Sequence, residues 1–264
     1  MTTILTQDLG AVRTITLNRP ERRNALTPEM QEELLVALHA AAFDASVRVL
    51  ILTGAGEAFC AGLDLEVMKQ FALSHAGDSS AVMALEEDAR RIARIFRTLY
   101  ELPKPTIARV QGHAIAGGTG LATMCDFTLA VPQAKFGYTE VRIGFVPALV
   151  SAYLSLQVGD KRARDLLLSG RLFSAEEARG LGLVTEVVAA EELDERVQTL
   201  AAQMVGNAPG SLRATKSLLA EMQRPALDAA IARALEVSAA VRQTADFREG
   251  ITAFLEKRTP VWVG

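Results

Sequence analysis

The chain has 264 residues, of which 50% are hydrophobic, so it is long enough for one large domain or for a core with a smaller appendage. The net charge is −3 and no Lys/Arg cluster stands out, which argues against nucleic acid as the main partner because phosphate binding needs concentrated positive charge. The two cysteines, Cys60 and Cys125, have neither disulfide-framework nor zinc-site spacing, so we expect no metal site.

Neither the N-terminal residues nor the most apolar stretch of the sequence predicts export or membrane insertion. Residues 1–4 show no basic segment followed by an apolar run, which is the pattern of a signal peptide. The most apolar stretch, residues 106–125, is interrupted by Arg109, Gln111 and His113 and is too polar to span a bilayer. We therefore expect a cytoplasmic protein with no membrane partner.

The first elements in chain order are a strand pair and a helix. Residues 4–8 and 12–17 are β-prone runs around Gly10, which is a turn residue. Thr27 and Pro28 have the chemistry of an N-cap and a first helical position. The apolar residues that follow have helical spacing, and they are Met30, Leu34, Leu38 and Ala41.

Strands and helices then alternate up to about residue 190. Residues 47–53 predict a strand buried on both faces, and residues 80–100 predict a long helix that Pro103 and Pro105 end. Its apolar face contains Val82, Leu85, Ala89, Ile92, Phe96 and Leu99. Further strands are predicted at 106–110, 127–131 and 184–188, and a capping box is predicted at Ser174 and Glu177.

The last part of the chain differs in character from the first. After about residue 191 we find no convincing strand, and we predict helices broken near Pro209 and Pro225. The pattern divides the chain into an α/β core, residues 1–190, and a helical C-terminal region, residues 191–264. The alternation of strands and helices alone predicts a doubly wound parallel sheet.

Two glycine-containing segments could present backbone amides to a ligand. In residues 59–65, Gly62 precedes a predicted helix start, where free amides can bind an anion. The alternative is a strand-to-helix turn capped by Asp64. In residues 111–120 the paired glycines permit close approach of a ligand, although their spacing is not that of a dinucleotide site. The alternative there is a turn followed by a tightly packed helix.

A third segment, residues 136–144, places the acid Glu140 among mainly apolar residues. The alternative is a solvated surface carboxylate beside Arg142. No Ser or Cys motif accompanies the three histidines, so a nucleophilic triad is not supported.

Taken together and in order, five motifs resemble the enoyl-CoA hydratase/isomerase (crotonase) superfamily, and the resemblance covers nearly the whole chain. The motifs are Asn18-Arg19-Pro20 with Asn24-Ala25-Leu26, residues 59–65, residues 104–126, residues 136–144 and residues 249–258. The resemblance implies a right-handed spiral of ββα units in place of the doubly wound sheet. It also implies a helical C-terminal region that builds homotrimers or homohexamers.

The resemblance implies an acyl-CoA substrate and no further cofactor. Its oxyanion amides fall on Leu63 and Gly117, and its acid/base falls on Glu140. CoA is expected in a bent form with its adenine near residues 23–26, and Phe254 and Lys257 are expected to reach the CoA of a neighbouring subunit. The implied substrate contacts are Arg23, Asn24, Ala25, Leu26, Ala61, Gly62, Asp64, Gly118, Gly120, Phe254 and Lys257.

The individual reaction stays open between three alternatives. Family hydratases commonly use two glutamates, and the first of these positions is Gly120 here. Family isomerases that move a double bond also work with a single glutamate. Residues 139–148 look like hydratases of branched or carboxylated enoyl-CoAs, of the methylglutaconyl-CoA hydratase type, so we place hydratase first. An inactive CoA-binding protein is the third alternative.

Overall fold

The structure is a computed structural model that describes residues 2–74 and 79–262. Its strands are β1 Ile4–Leu9, β2 Val12–Leu17, β3 Val49–Gly54, β4 Thr106–Val110, β5 Ala114–Ile115, β6 Phe127–Ala130, β7 Lys135–Gly137, β8 Leu172–Ser174 and β9 Glu186–Val187. Its α-helices are α1 Pro28–Phe43, α2 Leu65–Ser74, α3 Ser79–Glu101, α4 Gly117–Met124, α5 Ala148–Val158, α6 Asp160–Ser169, α7 Ala175–Gly180, α8 Leu193–Gly206, α9 Pro209–Val241 and α10 Ala245–Leu255. Two short 3-10 helices lie at Pro20–Arg22 and Glu140–Ile143.

The strands form two sheets between which the chain alternates. The larger sheet has the order β1-β2-β3-β4-β6-β9 and is parallel except for the β1–β2 pair, while the smaller sheet has the order β5-β7-β8. The larger sheet therefore grows in one direction only, and the chain visits the smaller sheet after β4 and again after β6. A doubly wound sheet reverses its strand order, so that prediction is wrong. The alternation between two sheets agrees with the spiral.

Local sequence signals predicted the first elements correctly. The Thr27 hydroxyl accepts a hydrogen bond from the Met30 amide, and all four residues of the predicted apolar face of α1 are buried. Every residue of β3 is buried, as expected for a strand covered on both faces. Leu85, Ala89, Ile92, Phe96 and Leu99 of α3 are also buried, whereas Val82 lies outside the described side chains.

Three local predictions need correction. Pro225 lies inside the 33-residue helix α9 and does not break it, because packing of α9 against α3 and α5 outweighs one missing hydrogen bond. The strand predicted at 184–188 is limited to Glu186–Val187. Ser174 accepts from the Glu177 amide at 3.1 Å, but the Glu177 carboxylate accepts from Arg171 at 2.6 Å, so only half of the capping box forms.

The C-terminal region is helical, as predicted, and packs directly on the spiral. Helix α9 contacts α3 and α5, and α10 contacts α2 and the 3-10 helix Glu140–Ile143. Leu227, Ile231 and Ala234 of α9 belong to the same hydrophobic cluster as the β-sheet side chains. The division at residue 190 stays a prediction. Among the described residues no helix is long and apolar enough to cross a membrane, and none of their His, Cys, Asp and Glu side chains form a cluster suited to a metal ion.

Candidate active site

A cavity of about 570 Å³ lies between the spiral and the C-terminal helices. Its walls are largely apolar and come from α2, α3, α4, α5, α9 and α10 together with their connecting loops. Leu63, Gly117 and Glu140, which sequence reasoning placed in three separate motifs, all line it. A concave apolar cavity with a few convergent polar groups is the usual form of a small-molecule site.

The Leu63 backbone has an N–H group that the local pairing leaves free. Leu26 and Leu63 form a parallel bridge in which the Leu26 amide donates to the Gly62 carbonyl at 2.8 Å and the Asp64 amide donates to the Leu26 carbonyl at 3.1 Å. Gly62 and Asp64, the neighbours of Leu63, thus make both hydrogen bonds to Leu26. The Leu63 N–H itself points away from Leu26. No backbone acceptor for it occurs among residues 2–74 and 79–262.

Gly117 supplies a second free N–H group because it is the first residue of helix α4. The first amides of a helix have no intrahelical acceptor, and within the described chain no backbone carbonyl accepts from Gly117. The preceding residue, Ala116, has φ 52° and ψ −122°, a region that non-glycine residues rarely adopt and that costs about 1–3 kcal/mol. Its amide donates to the Gly137 carbonyl at 2.7 Å, which holds this conformation.

Glycines bring the two free amides together. Gly62 has φ 87°, and a Cβ there would lie 3.0 Å from the Ala116 Cβ and 3.3 Å from the Gly117 nitrogen. A Cβ on Gly118 would lie 2.2 Å from the Cys60 carbonyl oxygen. The two segments therefore touch through bare backbone, and two N–H donors at one cavity wall can bind a single oxygen atom.

Glu140 is a buried acid rather than a solvated one, so the alternative of a surface carboxylate is wrong. Its exposed fraction is 8%, and burial raises its pKa to about 7. Its Oε2 atom has no hydrogen-bond partner among the described residues. Arg142 is exposed at the edge of the same cavity. A carboxyl group with a pKa near neutrality can accept and return a proton.

Gly120 does not line the cavity but is buried in α4. A Cβ at this position would lie 2.6 Å from the Phe96 Cζ and 2.9 Å from the Val150 Cγ1. Apolar side chains therefore occupy the space that a carboxylate at this position would need.

We expect Gly120→Ala to lower the free energy of unfolding by about 1–3 kcal/mol, because it overpacks the core against Phe96 and Val150. Urea denaturation measures the change. Gly180→Ala in α7 is the matched control, since a Cβ there meets nothing within 4 Å. Equal stabilities of the two variants would contradict the packing argument.

The other predicted substrate contacts divide into two groups. Arg23, Ala61 and Phe254 line the cavity, and Phe254 is 58% exposed. The others, which are not part of the lining, are Asn24, Ala25, Leu26, Gly62, Asp64, Gly118, Gly120 and Lys257. Their contact with CoA stays a prediction.

Two residues of the second group connect the loops around the site. The Asn24 side-chain amide donates to the carbonyls of Ala55, Ala58 and Phe59 at 2.8–3.1 Å. The Asp64 carboxylate accepts from Arg19 at 3.0 Å. Both side chains therefore fix the loop that carries Leu63.

Sequence reasoning missed Arg242, which also lines the cavity and is only 3% exposed. It donates to the Leu85 carbonyl at 2.8 Å and to Asp88 Oδ2 at 3.0 Å, and its guanidinium carbon lies 5.2 Å from the centre of the Phe145 ring. A single arginine at the end of a helical pattern carries no local signal of burial. Its partners lie more than 150 residues earlier in the chain.

Solved structures with the same fold identify the class of protein. The chain is 34% identical to an enoyl-CoA hydratase/isomerase from Xanthobacter autotrophicus Py2, with a TM-score of 0.87 and 97% of each chain covered. An enoyl-CoA hydratase from Bacillus halodurans gives a TM-score of 0.88 at 28% identity, with 96% of this chain and 100% of that chain covered. The protein therefore has the crotonase fold, which confirms the predicted α/β spiral with a helical C-terminal region. The role of that region in building trimers stays a prediction.

The chain belongs to the enoyl-CoA hydratase/isomerase family, whose family model matches residues 8–264. It is 45% identical over 254 residues, 95% of this chain and 97% of the relative, to a Thermus thermophilus protein whose name provisionally calls it an enoyl-CoA hydratase. It is 36% identical over 251 residues, 95% of this chain and 94% of the relative, to the 2,3-dehydroadipyl-CoA hydratase of Escherichia coli strain K12. The predicted family is confirmed.

Proposed function

We propose that the protein is an enoyl-CoA hydratase, a hydro-lyase that adds water across the 2,3 double bond of an enoyl-CoA thioester. The observation that carries this proposal is the unpartnered Glu140 carboxyl, with a pKa near neutrality, in one cavity with the free amides of Leu63 and Gly117. The names of the two relatives each contain the word hydratase, which supports the same reaction.

In the proposed mechanism the thioester oxygen accepts hydrogen bonds from the Leu63 and Gly117 amides. Glu140 takes a proton from water while the water oxygen forms its bond to C3. The π electrons of the double bond move onto C2 and the thioester carbonyl, which gives an enolate whose negative oxygen the two amides stabilise. Protonated Glu140 then returns a proton to C2. One donor of this kind is worth about 10²–10³ in rate.

A single acid can do this chemistry because it carries the same proton in both steps. Phe96 and Val150 fill the space at Gly120, so a second carboxylate has no room there. The lack of room for a second carboxylate also favours another reaction. In this second candidate function the protein is an isomerase, and Glu140 moves a proton between C2 and C4. The third candidate is a CoA-binding protein without turnover.

We also propose a cytoplasmic homotrimer or homohexamer that needs no cofactor, since coenzyme A is part of the substrate. An oligomer is supported by apolar side chains exposed on α9, namely Leu218, Leu219 and Met222. In that assembly the exposed Lys257 and the exposed Phe254, which also lines the cavity of its own subunit, would contact the CoA of the neighbouring subunit.

Addition of crotonyl-CoA tests the hydratase proposal. We expect the absorbance of the conjugated enoyl thioester to fall as water adds, and mass spectrometry to show a product heavier by one water. No loss of absorbance, with gain of conjugation from a 3-enoyl-CoA, would establish the isomerase instead. Tight binding of both thioesters without turnover would establish the inactive alternative.

A further inference from the structure

We propose that Arg242 binds a carboxylate at the acyl end of the cavity, so that the preferred substrate is an enoyl-CoA whose acyl chain ends in a carboxylate. This inference rests on the proposed hydratase function and adds a substrate class to it. It starts from one fact: a guanidinium group that is almost fully buried forms part of a largely apolar cavity wall.

The hydrogen bonds of Arg242 are incomplete. Its two terminal nitrogens donate to the Leu85 carbonyl and to Asp88, but its Nε has no acceptor among the described residues. An unsatisfied donor of a buried charged group is costly. A carboxylate is the acceptor that best matches the planar fork of a guanidinium group.

The charges of the cavity lining also favour an anion near Arg242. Asp88 is the counter-ion of Arg242 and also accepts from Gln31, whereas the neighbouring Arg91 pairs with Glu32. Asp88 is not part of the lining, so its charge does not face the cavity. Among the described residues of the lining the sole acidic side chain is Glu140, and burial of its carboxyl favours the neutral form.

The position of Arg242 suits the acyl end of a bound thioester. Its acceptor Leu85 forms a small cluster with Met68 and Phe247, and Leu63 packs against that cluster. The other basic side chains of the lining, Arg23, His113 and Arg142, are exposed. An acyl chain whose thioester lies at the Leu63 amide can thus extend toward Arg242, the one buried arginine among the described residues of the lining.

The competing explanation is purely structural: the buried pair of Arg242 and Asp88 ties the end of α9 to α3. Two variants separate the explanations. Arg242→Met removes the cation, whereas Asp88→Asn weakens the ion pair and leaves the cation in place. The structural explanation predicts the same consequence for both variants.

The readout is the ratio of two kcat/KM values, one for a 2-enoyl-CoA with a terminal carboxylate and one for the uncharged 2-enoyl-CoA of equal length. This ratio is independent of the fraction of folded enzyme. We expect wild type to prefer the carboxylate and Arg242→Met to lower the ratio at least about 10-fold, the loss of one charge-assisted hydrogen bond. Asp88→Asn should keep or raise the ratio.

An unchanged ratio in Arg242→Met, or an equal fall in Asp88→Asn, would overturn the proposal. Removal of one partner of a buried pair can unfold a protein. The double variant, Arg242→Met with Asp88→Asn, therefore removes both charges, and it should show the same fall in the ratio as Arg242→Met. Wild-type enzyme that hydrates the uncharged thioester better would also overturn it. Wild type that hydrates neither thioester would refute the proposed function itself.

Discussion

Replacing Glu140 with glutamine should lower kcat for hydration by at least about 10², because glutamine keeps the shape of the side chain but cannot transfer a proton. In the wild-type enzyme the base is the ionised carboxylate, so kcat/KM should rise with pH through the pKa of about 7. Stopped-flow or steady-state hydration of crotonyl-CoA across pH 5–9 measures both effects. Turnover of Glu140→Gln near the wild-type value would exclude Glu140 as the base.

The same substitution should stabilise the protein, which separates a lost catalytic group from a damaged fold. Burial raises the Glu140 pKa from 4.5 to about 7, so the folded state holds its proton more tightly than the unfolded state does. The stability that the tightly held proton of Glu140 gives to the folded wild-type protein is fully present below pH 4.5. It is lost as the pH rises through about 7. At pH 8 Glu140→Gln should therefore exceed wild type by about 3 kcal/mol in unfolding free energy, and the difference should vanish at acid pH.

Gly118→Ala should reduce both turnover and stability, and it probes the two amides that no side-chain replacement can remove. The added Cβ would lie 2.2 Å from the Cys60 carbonyl oxygen and 2.8 Å from its carbon, both of which are backbone atoms. Helix α4 must therefore move away from the Cys60 segment, which displaces the Gly117 amide relative to the Leu63 amide. A displacement of about 1 Å can cost about 10² in rate.

Thermal denaturation and crotonyl-CoA hydration, measured side by side, check this expectation. Gly206→Ala at the end of α8 is the control, because a Cβ there has no neighbour within 4 Å. We expect the control to keep wild-type turnover. A Gly118→Ala enzyme with full turnover would mean that the spacing of the two amides does not limit the reaction.

The sequence predicts elements well where the stabilising chemistry is local. Helix α1 begins where Thr27 and Pro28 indicate, because a cap needs only the neighbouring amides. The sheet order involves strands far apart in sequence, so alternation alone gave the wrong topology, and the family resemblance was needed for the spiral. Pro225 shows the same limit, since tertiary packing decides whether a helix continues through a proline.

The candidate site likewise contains residues that local motifs predict and contacts that only the folded chain forms. Leu63, Gly117 and Glu140 came from motifs, and the structure places all three in one cavity. Two features had no sequence signal: the filling of the space at Gly120 by Phe96 and Val150, and the burial of Arg242 against Asp88, 154 residues away. Both depend on contacts between helices that the chain brings together only on folding.

The cavity wall has two separate origins along the chain. The free amides and the acid lie between residues 63 and 140, whereas much of the remaining wall comes from the later helices α5, α9 and α10. Changes in those helices can reshape the space for the acyl chain while the reacting groups keep their positions. The range of accepted acyl chains can therefore diverge during evolution through the helices alone, with the proton-transfer machinery inherited intact.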